Sequence, residues 1–518
     1  MLILLLLTPL IGVAGIILGC SNERQSKQVA LLASLANFAL SLVLWGEYDG
    51  NCGHFQFVQD WSSVTFCHFI IGLDGLSLFF VLLTTFIIPS CILGTPLGPK
   101  DWSPRFQGLG ALPRVPSTMA SIPAVKSFLI ALLVVETLLI ALFVVLDLLL
   151  FYVCFESVLI PLFLLIGIWS HSPHKVRASF MLFLYTLFGS LFMLLSFIAI
   201  YMSIGSTDYQ LIATSYIQPE VEKILWLGIF LALAIKTPLV PFHSWLPYAH
   251  VSAPLAGSII LAGLILKLAT YGYLRLCLGL LPEASSYFAP LVYTLCVVSI
   301  IYASLSTLRQ VDLKGIIAYS SIPHVAIATM GLFSNSLQGI EGAMLLSLAH
   351  GLVSPALFIC VAIIYDRWHT LVLLYYRGLT LIMPLFSLFF FVFLLANMAI
   401  PLSVNFVGEF LCLLGSFQRN PLATFIASIS VVFSGAYSIW LFNRVCYGAF
   451  SRYLLPALDI TRRELYLLLP FLFLVFILGI VPNLVLDSIH LSVSSLLHQK
   501  TPISLLSYFT MLVGSVPF

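Results

Sequence analysis

Residues 236–276 have the sequence KTPLVPFHSWLPYAHVSAPLAGSIILAGLILKLATYGYLRL. This stretch is apolar enough to lie within a membrane, yet it contains Lys236 and Lys267, each flanked by apolar residues. An ionisable residue in the hydrocarbon region costs about 2.5–3.5 kcal/mol, so each lysine needs a functional explanation. Pro238 and Pro241 follow the first lysine, and proline removes a helical hydrogen bond. The stretch therefore predicts a broken transmembrane helix followed by a second span with a buried charge.

The whole chain has the same apolar character. Of its 518 residues, 61% are hydrophobic and 8% are charged, against about 25% charged residues in an average soluble domain. Such a chain cannot cover a water-facing surface, which excludes a soluble enzyme. The net charge of +2 gives no indication of a nucleic-acid partner. The ten cysteines include no C-x-x-C pair, so neither an iron–sulfur cluster nor a zinc site is predicted.

Long apolar runs separated by polar, proline-rich or glycine-rich connections predict an all-α integral membrane protein with about fourteen transmembrane helices. The predicted spans are 2–19, 29–46, 68–94, 127–146, 148–170, 179–203, 224–247, 253–280, 287–307, 312–332, 340–365, 379–418, 421–447 and 463–482. Residues 95–126 form a long irregular insertion rich in proline and glycine. The tail 484–518 is apolar enough to contain a further or interfacial helix.

The basic residues of the connections alternate along the chain. Lys and Arg concentrate on the inner side of a membrane, which places the 95–126 loop and the Arg309/Lys314 loop on the inner side. Residues 28–74 contain no Lys or Arg, so the connection between the second and third predicted spans, which includes Asp49, is assigned to the outer side. Lys223 and Arg275 are assigned to the same side. An even number of spans then puts both termini outside.

A small set of ionisable residues lies inside apolar runs. Histidine and a desolvated lysine or carboxyl can bind and release protons near neutral pH. Glu409 is preceded by Pro401, so a second charge lies beside a proline in the other half of the chain, as expected of a transporter site formed by broken helices. The candidate proton-transfer residues are Glu156, Lys236, Lys267, His324, His350 and Glu409, and the candidate helix-breaking prolines are Pro238, Pro241 and Pro401.

Other polar residues in or near the spans have structural interpretations. Asp74 and Glu136 are interpreted either as functional charges or as helix-end charges at the membrane interface, and Asp147 is interpreted as a helix cap. The pairs His171/His174 and His243/His250 lack the acidic or thiol partners that would favour a metal or haem site. No metal or cofactor site is predicted in the chain.

Residues 236–276 closely resemble the antiporter-like membrane subunits of respiratory NADH:ubiquinone oxidoreductase, complex I, of the mitochondrial type. The segments FYVCFESVLIPLFLLIG, STLRQVDLKGIIAYSSIPH, QGIEGAMLLSLAHGLVSPALF and NFVGEFLCLLGSFQRN are similar to the same family. The resemblance implies two inverted repeats with two broken helices. The implied division is 1–126 for helices 1–3 and the insertion, 127–280 for the first repeat, 281–447 for the second repeat, and 448–518 for helix 14 and the tail.

The resemblance also assigns roles to residues. It implies that Glu156 pairs with Lys236, that Lys267 lies on a central hydrophilic axis with His324 and His350, and that Glu409 is the last acidic group. Two positions depart from the family pattern. Ser252 stands where an acidic residue is usual, and Tyr248 stands where a charged residue is common, so the role of those family residues in proton uptake does not transfer to this chain.

The resemblance predicts a proton-translocating subunit of a redox-driven complex in the mitochondrial inner membrane. The enzyme's flavin and iron–sulfur clusters are expected in other subunits, with no cofactor in this chain. The expected partners are other membrane subunits, including neighbouring antiporter-like subunits, and lipids. A subunit of a stand-alone cation/proton antiporter, a haem- or quinone-binding membrane protein, a passive channel and the plastid relative of the complex are the alternatives. Co-purifying subunits and a visible absorption spectrum distinguish the first two of them.

The loop charges predict the sidedness of the chain. A cysteine introduced at Asp49 and one introduced at Arg105 should react with an impermeant thiol reagent from opposite faces of a sealed vesicle, because the basic loop stays on the inner side. The measurement is the extent of labelling when the reagent is added to each face of the vesicle. As a control, detergent permeabilises the vesicle, and both cysteines should then react. Labelling of both positions from one face would contradict the fourteen-span topology.

Overall fold

The protein is a bundle of apolar helices with one small β-hairpin. The structure is a computed structural model that describes residues 1–64, 67–95, 122–170 and 172–498. Four parts of the chain lie outside the described residues. They are residues 65–66, most of the predicted insertion (96–121), His171 and the tail beyond residue 498. The predicted all-α membrane fold is confirmed, and the hairpin is an addition to it.

The first half of the described chain contains thirteen α-helices and the hairpin. The elements are α1 (Leu2–Gly19), α2 (Glu23–Glu47), β1 (Gln56–Val64), β2 (Cys67–Leu73), α3 (Gly75–Gly94), α4 (Ile122–Val144), α5 (Leu148–Ser157), α6 (Leu159–Gly167), α7 (Lys175–Ile204), α8 (Tyr209–Thr214), α9 (Pro219–Lys236), α10 (Trp245–Ser252), α11 (Leu255–Ile260), α12 (Leu266–Gly272) and α13 (Pro282–Tyr287). Two π-helical segments, Leu261–Ile265 and Tyr273–Leu280, make one continuous span with α11 and α12.

In the second half of the described chain, all the long elements are α-helices. They are α14 (Ala289–Leu308), α15 (Leu313–Leu332), α16 (Leu337–Trp368), α17 (Pro384–Asn397), α18 (Val404–Arg419), α19 (Pro421–Cys446), α20 (Arg462–Ile480) and α21 (Asn483–His498), with short 3₁₀ turns at Leu373–Tyr375 and Leu379–Leu381. Helix α21 confirms that the tail contains a further helix.

Among the described residues, twelve helices are long and apolar enough to cross a membrane. The other two predicted spans, 224–247 and 379–418, correspond to pairs of shorter helices, α9 with α10 and α17 with α18. The spans Leu255–Leu280, Leu313–Leu332 and Leu337–Trp368 are almost fully buried, whereas α1, α2 and α20 lie at the periphery. Length and composition therefore support twelve spans, and the total of fourteen stays a prediction.

Proline interrupts both broken helices, as predicted. Helix α9 ends at Lys236, and residues 237–244, which include Pro238 and Pro241, form turns before α10. Helix α17 ends at Asn397, and Pro401 lies in the turn before α18. That second turn also places Ala399 and Leu402 in the left-handed region, with φ of 58° and 78°, which few side chains adopt without strain.

The prediction of a single helix over 68–94 is wrong in its first part. Strand β2 occupies residues 67–73 and pairs antiparallel with β1, and helix α3 begins only at Gly75. The Asp74 carboxylate caps α3 by accepting a hydrogen bond from the Ser77 amide at 3.1 Å. The amide of Leu146 donates to the carbonyl of Ile70 at 3.0 Å, so the hairpin is fastened to the end of α4.

Asp74 also forms a buried ion pair with Arg275, which the loop charges assign to the outer side of the membrane. Arg275 Nη2 lies 2.5 Å from Asp74 Oδ1, and both side chains are buried. The guanidinium further donates to the hydroxyl of Tyr271 at 3.1 Å and lies over the rings of Phe55 and Tyr209. Arg275 therefore holds the start of α3 against the end of the span that carries Lys267.

Breaking this pair should destabilise the protein. Arg275→Met leaves Asp74 buried without its charge partner, which costs about 3–5 kcal/mol, so the thermal denaturation midpoint and the yield of folded protein should fall clearly. The double variant Arg275→Met with Asp74→Asn should recover part of the loss. Lys223→Met is the matched control, because Lys223 pairs with the exposed Glu220 at the surface and exposed pairs contribute little. Equal stability of the Arg275 and Lys223 variants would refute this role.

Candidate functional site

The best connected group of buried ionisable residues lies in the centre of the bundle. Lys267, 2% exposed, extends from α12, and its Nζ lies 2.8 Å from His350 Nδ1 on α16. The same ammonium donates to the carbonyl of Ala262 at 2.5 Å. That carbonyl belongs to the preceding π-helical segment. The prediction that Lys267 lies beside His324 or His350 is confirmed for His350.

The second histidine continues this group toward the broken helix α18. His324 Nδ1, on α15, lies 2.5 Å from Glu409 Oε1, and both side chains are buried. The rings of His324 and His350 are 6.1 Å apart between centroids. Lys267, His350, His324 and Glu409 thus form a continuous series across four elements, which we name the central axis.

A cavity and a narrower packing gap meet at His324. The cavity has room for about one water molecule and is lined by Lys267, His350 and His324 together with Thr270 and Ser347. The gap has no room for water and is lined by His324 and Glu409 together with the following residues: Ser304, Pro323, Ile327, Ser430, Ser434 and Tyr437. The Nε2 atoms of both histidines are buried and have no hydrogen-bond partner in the described chain. Since buried polar atoms strongly favour a partner, the cavity between the rings suits a bridging water molecule.

Close helix packing brings Lys267 and His350 together. Gly263 precedes Lys267 by about one turn, and Gly351 follows His350 directly. A Cβ at Gly263 would lie 2.6 Å from Ile87 Cδ1, and one at Gly351 would lie 2.7 Å from Leu83 Cδ2. A side chain at either position would therefore displace its neighbour on α3. The two glycines favour the close approach of α3, α16 and the Lys267 span.

The predicted pair Glu156 and Lys236 has a different arrangement. Lys236 is 1% exposed, and its Nζ lies 3.5 Å from the centroid of the Phe155 ring. A cation over an aromatic face is stabilised by the ring's negative face. Within the described chain, neither Lys236 Nζ nor Glu156 Oε1 has a hydrogen-bond partner, although both atoms are buried. The two residues lie on neighbouring elements without forming an ion pair, and their role stays a prediction.

Lys236 is linked to the central axis through its helix end. The Thr237 hydroxyl, next to Lys236, lies 3.2 Å from the hydroxyl of Tyr273. Tyr273 follows α12 and so belongs to the span of Lys267. The break after α9 therefore contacts the helix that carries the second lysine.

The two positions that depart from the family pattern differ in exposure. Ser252 is buried, and its carbonyl accepts a hydrogen bond from the hydroxyl of Ser170. Tyr248 is exposed, and the Arg177 guanidinium lies 5.8 Å from its ring centroid. Nearby, Lys314 is buried and donates to the carbonyl of Ala253 at 2.9 Å. This end of the site is therefore built from hydroxyl groups and basic residues.

Sequence reasoning missed a third group of buried polar residues. Glu136 is 0% exposed in the middle of α4, so its interpretation as a helix-end charge is wrong. Its Oε1 accepts from Asn37 Nδ2 at 2.7 Å, and Asn37 Oδ1 accepts from the Thr8 hydroxyl at 2.9 Å. Asp147 caps α5, as predicted. Glu136 lies eleven residues before this cap, and this distance from the helix end was the sequence signal that Glu136 is deeply buried.

Metal-binding geometry is absent from the described residues. No three His, Cys, Asp or Glu side chains lie close enough together there to hold a metal ion. The expectation that the chain contains no cofactor remains a prediction.

Comparison with known families identifies relatives of this chain. A family model described as NADH:quinone oxidoreductase/Mrp antiporter, transmembrane, matches residues 145–434. The chain is 57% identical to NADH-ubiquinone oxidoreductase chain 4 of Mycosarcoma maydis, over 97% of this chain and 100% of that protein. It is 45% identical to the protein of the same name from Marchantia polymorpha, over 96% of each.

Solved structures show the same fold. A chain of respiratory complex I from Thermus thermophilus with bound NADH superposes with a TM-score of 0.84 at 26% identity, covering 96% of this chain and 100% of that chain. A chain of the archaeal membrane-bound sulfane sulfur reductase superposes with a TM-score of 0.78 at 19% identity, covering 96% and 99%. The latter likeness concerns the fold alone.

The Glu136 group should stabilise the peripheral helices. Asn37→Leu removes the donor to a buried carboxyl, and an unsatisfied buried acceptor costs about 1–3 kcal/mol, so the denaturation midpoint should fall. Asn37→Leu combined with Glu136→Leu should recover much of the loss, because both polar partners are then replaced. A double variant less stable than Asn37→Leu alone would contradict this interpretation.

Proposed function

The chain belongs to the NADH:quinone oxidoreductase/Mrp antiporter family, and from this premise we propose that it is a proton-translocating membrane subunit of an NADH:ubiquinone oxidoreductase. The relatives with this name cover nearly the whole chain at 45–57% identity. We place it in the mitochondrial inner membrane among other subunits of the complex. The alternative of a stand-alone antiporter subunit has no comparable support.

The observation that carries the proposal is the central axis. Lys267, His350, His324 and Glu409 are each at most 5% exposed, and they are joined by two direct contacts and one shared cavity. Each of these side chains carries a group that can bind and release one proton. A neutral imidazole accepts a proton on one nitrogen and releases one from the other, so the two histidines can pass protons without changing place.

In the proposed sequence, a proton reaches Lys267 and moves to His350 Nδ1 along their 2.8 Å contact. It then crosses the shared cavity to His324, and from His324 Nδ1 it moves to Glu409 over 2.5 Å. Glu409 lies on the broken helix α18, whose N-terminal turn is available to change conformation because it is separate from α17. Each step transfers one proton between neighbouring groups.

Lys236 and Glu156 would control this transfer electrostatically. Two unit charges a few ångströms apart in a partly dry site interact by several kcal/mol. Moving Glu156 toward or away from Lys236 therefore changes the field at Lys267. We assign the redox chemistry, with its flavin and iron–sulfur clusters, to other subunits, whose conformational or electrostatic changes would act on this pair.

The test is Lys267→Met, which keeps side-chain length and removes the proton site. In the assembled complex in liposomes, we expect normal assembly with transfer through this chain slowed by about a hundredfold or more, the lower range for loss of an acid–base group. NADH oxidation should slow with it through coupling. Leu268→Met, at the next buried position, is the control and should pump normally. A Lys267→Met complex with the wild-type number of protons per NADH would refute the proposal.

A further inference from the structure

The central axis ends at Glu409, and helix α19 presents a row of hydroxyl groups to this carboxyl. Ser430, Ser434 and Tyr437 line the gap that Glu409 shares with His324. The three residues are spaced four and three positions apart, which places them on one face of the helix. Each is at most 5% exposed. Helix α19 therefore turns a buried polar face toward the last group of the axis.

Within the described chain, two of these three hydroxyls make no hydrogen bond. Ser434 donates to the carbonyl of Val431 on its own helix at 2.9 Å. The hydroxyls of Ser430 and Tyr437 are buried and have no partner among the described residues. Buried polar atoms strongly favour a partner, so two donors are available at the gap.

The packing of α19 does not require these hydroxyls. The outward face of the helix is apolar, with Phe425 and Val432 71% and 70% exposed, as expected of a surface that contacts lipid. On the inward face, a phenylalanine in place of Tyr437 would fill the same volume without burying an unpaired hydroxyl, which is costly. The phenol is therefore suited to a partner that it does not bind in this arrangement.

Glu409 is the group that can become this partner. Its carboxyl acts electrostatically on the Tyr437 hydroxyl, and Asn397, the other polar neighbour of the phenol, lies outside hydrogen-bond geometry. The gap has no room for water, so the carboxyl and the hydroxyl face each other directly. Glu409 Oε1 instead lies 2.5 Å from His324 Nδ1. Rotation of the glutamate side chain would exchange one partner for the other.

We propose that the hydroxyls of Tyr437 and Ser430 are the second hydrogen-bond partners of Glu409 and hold its carboxylate whenever His324 is neutral. The inference rests on the proposed function. A charge-assisted hydrogen bond is about twice as strong as a neutral one, so an imidazolium at His324 draws the carboxylate to itself. When His324 is neutral, this advantage is lost, and the carboxylate accepts hydrogen bonds from the two hydroxyls instead.

This second position keeps Glu409 ready for the next proton. A buried carboxylate without donors is costly, so it would retain its proton. With two hydroxyl donors in place, Glu409 stays ionised after it has passed its proton on, and it can return to His324 when the imidazolium forms. The exchange moves hydrogen bonds and no proton. Tyr437 is therefore a positioning residue that controls the protonation of Glu409.

The test is Tyr437→Phe, which removes only the hydroxyl. In the assembled complex in liposomes, proton transfer through this chain should slow about tenfold, because the ionised carboxyl loses a hydrogen bond to a charged group. The infrared carboxylic-acid band of Glu409, identified by its loss in Glu409→Gln, should become stronger, because more of the carboxyl stays protonated.

Tyr293→Phe is the matched control. Tyr293 is also 2% exposed, its hydroxyl likewise has no partner among the described residues, and it does not line the gap. Its variant should show the wild-type rate and the wild-type infrared band. Ser430→Ala is the second test variant, and it should change the rate and the band in the same direction as Tyr437→Phe.

The wild-type rate and band in both test variants would overturn the inference. A slower rate with an unchanged Glu409 band would also overturn it, because that result indicates a structural role, and so would an equal effect in Tyr293→Phe. If Lys267→Met blocks transfer while the test variants are normal, the second position of Glu409 alone is wrong. If Lys267→Met also pumps normally, the proposed function itself fails.

Discussion

Hydrocarbon offers no hydrogen bonds, so each ionisable side chain inside this bundle must obtain its partners from the protein or from enclosed water. The packing follows this requirement. Lys267 lies on one of three nearly fully enclosed spans, and glycines at positions 263 and 351 favour the close approach that gives its ammonium an imidazole partner. Arg275 meets the same requirement with Asp74, and Glu136 meets it with Asn37. The helices are therefore arranged around buried charges as much as around apolar contacts.

The two buried lysines solve this problem in different ways. Lys267 has a titratable neighbour and a backbone carbonyl, which suits a group that exchanges protons. Lys236 faces the ring of Phe155 instead, and an aromatic face stabilises a cation without accepting a proton. Among the described residues Lys236 thus has no proton acceptor in hydrogen-bond contact, whereas Lys267 has one and is suited to transfer. The hydrogen bond between Thr237 and Tyr273 connects the end of α9, which carries Lys236, to the span that carries Lys267.

The sequence predicted the features that depend on local pattern. Apolar length predicted the spans, prolines predicted the breaks after Lys236 and before Glu409, and the isolation of Lys267 in an apolar run predicted a nearby histidine. It failed where the determining contact is long-range. The residues of β2 are as apolar as those of α3, and Asp74, the cap between them, was placed inside one predicted span instead of at the start of a helix. The ion pair of Arg275 with Asp74 was not predicted, because Asp74 lies about two hundred residues earlier. The role of Glu136 was left open between two interpretations, because its partner Asn37 belongs to another helix.

The contact between Lys267 and His350 also constrains how the chain is made. The ribosome completes the Leu255–Leu280 span well before residue 350 of α16 has been synthesised. During that interval the ammonium lacks its imidazole partner, and the inserting span carries the full cost of a charge in the bilayer. Until α16 is present, the apolar residues of the span must outweigh this cost by themselves. The pairing of Lys267 with His350 offsets it only after the later helix has inserted.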